Sequence, residues 1–226
     1  MSDIKKMINE AIDEALNDNK KESINEAYVT QAAKFDLKTE LLSSKTKAAH
    51  QKNLEDYSKK LNEVSAKLDG CDRSGSNLNH SEFRSLKIDE TYNHNAAFLH
   101  GLYFENISDL NSQINMNSLA YMKLTRDFGT FDAWQEDFVA CCLAARNGWA
   151  ITFYNLYLKR YINTVIDLHS SNVMIGMMPI IAMDCWEHSY YRDYLADRKS
   201  YVFGMMKELN WNVIEDRIKK LEKLSK

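Results

Sequence analysis

One proline and seven glycines in 226 residues leave few points at which a helix must stop. In a helix interior proline costs about 3 kcal/mol and glycine about 1 kcal/mol relative to alanine. A chain this poor in both is expected to be mostly helical. Cysteine is scarce as well. Cys71, Cys141, Cys142 and Cys185 contain no C-x-x-C pair, and two of them stand adjacent in an apolar helical stretch. They read as reduced, mostly buried thiols of a reducing compartment, which excludes a disulfide framework or a zinc cluster. No run approaches the roughly 18 apolar residues of a membrane helix, and the charged N-terminus lacks the apolar centre of a secretion signal. These absences predict a soluble, cytoplasmic protein that does not enter a membrane. Positive charge is not in excess either. The formal net charge of −3 argues against nucleic acid as a partner, and an anionic substrate would need local attraction rather than a global field.

What is present suffices for a core, since 45% of the residues are hydrophobic and 11% aromatic. The length suits one good-sized domain or two small ones sharing a core. In residues 1–30, Ile4, Met7, Ile8, Ala11, Ile12, Ala15 and Leu16 form a narrow apolar stripe on a charged helix. Such an arm packs on its own domain, or it docks another protein or a second copy. Residues 41–68 read as a long helix through Ala49, Leu54, Tyr57, Leu61 and Val64, and a polar break follows at Asp69-Gly70 and Ser74-Gly75-Ser76-Asn77. A second helix is expected over 89–106. Polar residues 111–117 mark a boundary between halves at 31–110 and 111–226. Helices are then expected at 118–126 and 131–146. Two strands rich in β-branched and aromatic residues follow at 148–154 and 161–166, broken at Lys159-Arg160 as in a hairpin. The short apolar run 178–183 reads as a third, buried strand, and terminal helices close the chain at 201–209 and 212–224. The resulting fold class is α+β: an N-terminal helical hairpin, then an α/β half with a small three-stranded antiparallel sheet.

The third strand runs into Asp184-Cys185-Trp186-Glu187-His188-Ser189-Tyr190-Tyr191. A carboxylate and an imidazole four residues apart at the end of a buried strand are costly to hide unless something pairs with them. A metal ion is one such partner, because this donor pair suits iron, manganese and zinc alike. Taken alone, the pair is also what a surface strand-to-helix turn would show.

The longer pattern Pro179-Ile180-x3-Asp184-x-Trp186-Glu187-His188-x-Tyr190-Tyr191 resembles the C-terminal signature of the iron/manganese superoxide dismutases. Phe128-Gly129-Thr130, Gly148-Trp149 and Asn210-Trp211 also fall where that family has similar residues, and the resemblance covers roughly residues 34–224. It implies one iron or manganese ion per chain, held by His50, His100, Asp184 and His188. It also implies conversion of superoxide to dioxygen and hydrogen peroxide in two one-electron steps. His100 carries Asn93 seven residues before it and Phe104 four after, as the family's second histidine ligand does. His50 stands seven residues before Tyr57, where the family has eight, and position 49 is alanine. Its helix is therefore expected to be rotated slightly or to carry a one-residue irregularity.

By the same resemblance Tyr57 is the gateway hydroxyl, and His169 is the residue that hydrogen-bonds the solvent ligand. Phe104, Trp149 and Trp186 wall the pocket, and Arg198 attracts the anion. Glu187 would cross a homodimer interface to the partner's copy of His188, with Tyr191 beside it. Of six histidines, His50, His100, His169 and His188 take family positions, whereas His80 and His94 lie in polar stretches. The chain departs from the family in having Asn53-Leu54 where a cross-interface histidine is usual, and residues 1–30 have no counterpart. The shifted first histidine and the appended N-terminal helix suit an alternative: a structural or interaction protein retaining the dismutase fold, like the divergent members carried by large bacteriophages, and then virion-associated. A metal-dependent hydrolase fits less well, because no carboxylate is placed as a general base.

Overall fold

The computed structural model describes residues 29–107 and 113–224, so the expected N-terminal arm and part of the linker lie outside the described residues. Two long antiparallel helices come first: α1, Ser44–Gly70, and α2, Glu82–Asn106. Each begins at a serine whose hydroxyl accepts a backbone N–H three residues on, Ser43 from Thr46 and Ser81 from Arg84. The Ser81 cap explains why α2 starts seven residues before the expected position 89. Its first turns are also held by packing, since Leu86 and Phe83 lie against Val64 and Leu68 near the end of α1. Helix α1 is α-helical throughout, with no irregularity between His50 and Tyr57.

Helices α3, Leu119–Phe128, and α4, Phe131–Ala144, follow, separated by Gly129 at φ +90°. The sheet comprises β1, Gly148–Asn155, β2, Arg160–Asp167, and β3, Met177–Asp184. Its order is β2-β1-β3, with both pairings antiparallel. All eight residues of the central strand β1 are buried. The chain closes with α5, Glu187–Tyr194, α6, Arg198–Lys207, and α7, Trp211–Leu224. Helix α5 was not expected from the sequence, and α6 starts earlier than position 201. Poor helix formers such as Ser189, Tyr190 and Tyr191 hide α5 from propensity. Packing holds it instead, with Tyr190 stacked 5.2 Å from Tyr201 of α6.

One hydrophobic cluster joins the hairpin to the sheet half, from Leu54, Leu99 and Phe104 to Trp134, Ile151 and Leu209. Polar pins fix the junction. Asn106 donates to Ala182 O at 3.0 Å, and the Arg217 guanidinium reaches Ile180 O at 2.8 Å and Leu102 O at 3.2 Å. These bonds hold α2 against the end of β3, where the donors converge.

Gly148 opens β1 directly before Trp149. A Cβ there would stand 2.0 Å from Ile166 O and 2.9 Å from the Asp167 Cα, so backbone of β2 would have to move. Gly148→Ala should therefore lower stability by about 3 kcal/mol, the upper end of overpacking costs. Thermal unfolding would check this, and an unchanged midpoint would show that the sheet edge yields freely.

Candidate metal centre

Four elements each deliver one part of the site. Along α1 the buried positions Thr46, His50, Leu54, Ser58, Leu61, Ser65 and Leu68 recur at three and four spacing and form the seam against the rest of the protein. His50 lies on that seam and is 1% exposed, whereas Ala49 faces outward. The helix phase thus resolves the one-residue shift: the seam turns position 50 inward with no distortion of the helix. His100 is fully buried on α2, Asp184 ends β3, and His188 lies in the first turn of α5.

Donor atoms from these four side chains all lie within 4.8 Å of one another. The Asp184 Oδ2 is 2.8 Å from His50 Nε2, 3.1 Å from His188 Nε2 and 3.7 Å from His100 Nε2. The Asp184 Oδ1 accepts the Trp186 backbone N–H at 2.9 Å, while Ser189 Oγ and Tyr201 OH donate to its carbonyl at 3.0 Å and 2.9 Å. The carboxylate is therefore rigidly aimed.

The chemistry of this donor set fits a cation. His100 Nδ1 donates to Ala96 O at 2.6 Å, which leaves Nε2 as a bare lone pair. That lone pair faces the His188 Nε2 at 3.4 Å and the Asp184 carboxylate beyond it. Buried lone pairs of nitrogen and oxygen repel unless a positive charge sits among them. His50 Nδ1 is buried with no hydrogen-bond partner among the described residues.

Electrostatics agree. Burial alone would raise the Asp184 carboxyl, but the charge on His188 and hydrogen bonds from His188 and His50 hold it well below the usual carboxylate range. Burial lowers His50 and pushes His100 down to about 3, so both imidazoles are neutral and able to donate at neutral pH. For His188 burial opposes protonation, yet the Asp184 carboxylate outweighs it and raises the pKa.

Around the donors is an aromatic shell. Phe104 stands edge-on to His50 at 4.8 Å, and Trp149 edge-on to His100 at 5.0 Å. Trp186 stacks on His169 at 5.1 Å and on His188 at 5.8 Å. His169 lies in the turn after β2. Its Nδ1 accepts the Trp149 Nε1–H at 3.0 Å, so Nε2 carries the proton and donates to Tyr57 OH at 3.1 Å. Burial lowers His169 to about 4. Arg198 is placed differently from the donors: it bonds Tyr190 OH at 3.2 Å, Arg146 O at 3.0 Å and Ala145 O, and none of these contacts reaches the four side chains. Glu187 and Tyr191 are exposed, and with Ala49, Asn53 and Arg192 they border a surface cleft of about 350 Å³ at His188. His80 and His94 are exposed elsewhere. All four cysteines are free thiols, with Cys142 and Cys185 buried. Among the described residues, no helix is long and apolar enough to cross a membrane.

Three tyrosines of the site escaped the sequence reading. Tyr103 and Tyr201 share a hydroxyl bond of 2.9 Å beneath Asp184, and Tyr92 stands edge-on to His169 at 4.7 Å. Tyr92 had a signal, since it precedes His100 by two helical turns on α2.

A family model described as the C-terminal domain of iron/manganese superoxide dismutases matches residues 116–217. The iron superoxide dismutase of Aquifex aeolicus is 35% identical over 178 residues, 77% of this chain and 81% of that protein. The iron enzyme of Aquifex pyrophilus matches to the same extent. A manganese superoxide dismutase of Haloferax volcanii is 34% identical over 122 residues, 54% of this chain and 60% of that protein. A relative this similar over four-fifths of its own length, joined to a sheet, hairpin and four-donor cluster of the expected kind, places the chain in the iron/manganese superoxide dismutase family.

Proposed function

We propose that this chain is an oxidoreductase that converts superoxide to dioxygen and hydrogen peroxide, using one iron or manganese ion held by His50, His100, Asp184 and His188. The observation that carries the reading is the convergence of three imidazole nitrogens on a buried carboxylate, one of them a lone pair with no proton to share. When bound, iron or manganese supplies the one-electron couple that oxidises one superoxide and reduces a second. The protein's own work is to shape, dry and protonate the site. Phe104, Trp149 and Trp186 exclude water around the donors. Reduction of the second superoxide consumes two protons, and the hydrogen-bonded pair Tyr57–His169 leads from the surface toward the donors. Arg198 is the cation assigned to attract the anion, and its half-buried place beside Tyr190 suits guiding substrate rather than contacting it.

Homodimer formation belongs to the same reading. His188 turns Nε2 inward to Asp184, which leaves its other ring nitrogen for the exposed side, where the Glu187 and Tyr191 side chains stand without partners among the described residues. Glu187 of a second copy would accept that N–H and fix the ring. The free thiols fit the reducing cytoplasm as the place of work.

Elemental analysis of untagged protein, followed by a superoxide-consumption assay, tests the assignment. About one iron or manganese per chain, with dismutation that disappears on metal removal and returns on reloading, is the expected result. A loaded but inactive protein would favour the fold-retaining interaction protein, and a protein that binds no metal would end the enzyme reading.

A further inference from the structure

We propose that the apolar stripe of residues 4–16 docks on its own chain, as a helix laid in the groove that α1 and α2 leave between them. This goes beyond the dismutase reading and does not depend on it. The groove has a volume of about 330 Å³. Its floor is Leu54 and Leu61 of α1 with Ala97, Gly101 and Leu102 of α2, and residues 30–35 form a further wall. That wall runs back along α1: Thr30 exchanges two hydrogen bonds of 2.8 Å with the Asn62 side chain, and Ala33 O accepts from Gln51 Nε2 at 2.9 Å. The chain that precedes Thr30 therefore starts at the rim of the groove. Apolar surface is left open there, with Phe98 51% exposed and Val29 84% exposed.

Gly101 identifies the kind of occupant. Glycine is a poor residue for a helix interior, and at this position no left-handed backbone calls for it. A Cβ on Gly101 would meet no heavy atom within 4 Å, so nothing among the described residues needs the space. With Ala97 one turn earlier it makes a shallow floor that lets another backbone come close. The stripe presents Ile4, Ile8 and Ile12 one turn apart, the large anchors that a helix lays into such a groove. Lengths agree as well. The α2 lining reaches from residue 94 to residue 105, about 17 Å at 1.5 Å per residue, and the stripe is about 18 Å long as a helix. Residues 17–29, thirteen in all, join the stripe to the groove wall and reach about 43 Å when extended. A short tether holds its cargo at an effective concentration on the order of millimolar, which favours the chain's own stripe over that of a second copy.

Amide hydrogen exchange of the full-length protein, read by mass spectrometry, tests the docking. Three variants are compared with the wild type: Gly101→Leu fills the groove, Gly101→Ala leaves most of it open, and Ile8→Lys charges the stripe. A side chain at position 101 projects into open space and Ile8 belongs to none of the described elements, so each variant should fold. Exchange of the sheet amides verifies this in every sample. In the wild type and in Gly101→Ala, residues 4–16 should exchange roughly 100-fold slower than a free peptide of the same sequence. Gly101→Leu and Ile8→Lys should each speed that exchange about tenfold or more. Free-peptide rates over residues 4–16 of the wild type would overturn the proposal. Protection that survives Gly101→Leu would overturn it too, because the stripe would then lie elsewhere. Protection that grows with protein concentration would do the same and make the groove a contact for a second copy's arm.

Discussion

His50→Ala should lose its iron or manganese while the folded protein survives. His50 is the sole donor from α1, and it reaches Asp184 across 134 positions of sequence. Residues that merely brace a ligand are worth about 10–100-fold in metal affinity, so removal of a ligand should cost about 100-fold or more. At a fixed metal concentration that loss withdraws about 3 kcal/mol of metal-linked stabilisation. The truncation itself adds a cavity under Phe104 and Tyr103, whose rings lie 4.8 Å and 5.3 Å from the imidazole. Asp184 keeps His188, the Trp186 N–H and the Tyr201 and Ser189 contacts to its carbonyl, which is why the fold should persist. Elemental analysis would report the metal, and calorimetry with and without added manganese the linkage. In the wild type the midpoint should rise with metal; in the variant it should stay flat. Full metal content in His50→Ala would remove His50 from the donor set and return attention to the outward-facing Ala49 side of the helix.

The metal-free protein should lose stability steeply as pH falls from about 6.5 to about 3, the range set by the unfolded histidine value and by His100. His100 has a folded pKa below its unfolded one, so acid protonates the unfolded chain first. Its contribution is intact above the unfolded value and is lost progressively as pH falls toward the folded value. His169, lowered to about 4, acts in the same sense over a narrower window, and so does His50. Asp184 continues the trend at lower pH, since its depressed carboxyl stabilises the fold only while ionised. His188 has the opposite sign: its pKa is raised, so it stabilises the fold at low pH and ceases to do so as pH climbs past that raised value. Three depressed histidines against one raised one leave a net loss in acid. For the fully buried His100 alone the span corresponds to about 5 kcal/mol. Thermal unfolding of the apoprotein from pH 7 to pH 4 would show it as a fall of many degrees, and a flat profile would mean that the imidazoles are hydrated and not buried. Added metal should oppose the fall, because metal and protons compete for the same nitrogens.

Much of this was legible without coordinates. Asp184 and His188 are four residues apart at the end of a strand, so their nearness is a local event that spacing predicts. The three strands were visible in their β-branched and aromatic runs, and the hairpin of long helices in its apolar recurrence and the polar break after Gly70. The start of α2 and the existence of α5 were not visible. One depends on the Ser81 cap and contacts to Val64 and Leu68; the other is a tyrosine-rich segment that becomes helical because Tyr201 offers a face to stack on.

The sequence by itself determined the chemistry: three histidines and one aspartate of the kind a redox metal takes, on a chain with the family's landmarks. Only the tertiary structure decided which atoms meet. Whether position 49 or 50 turns inward depends on which stripe of α1 is buried, and that is set by the partner surfaces on α2 and α5. The same holds for Tyr92 and for the bare nitrogen of His100, whose direction follows from Ala96 O one turn earlier in the packed helix. A side chain's type is written in the sequence; the direction in which it points is a property of the packed core.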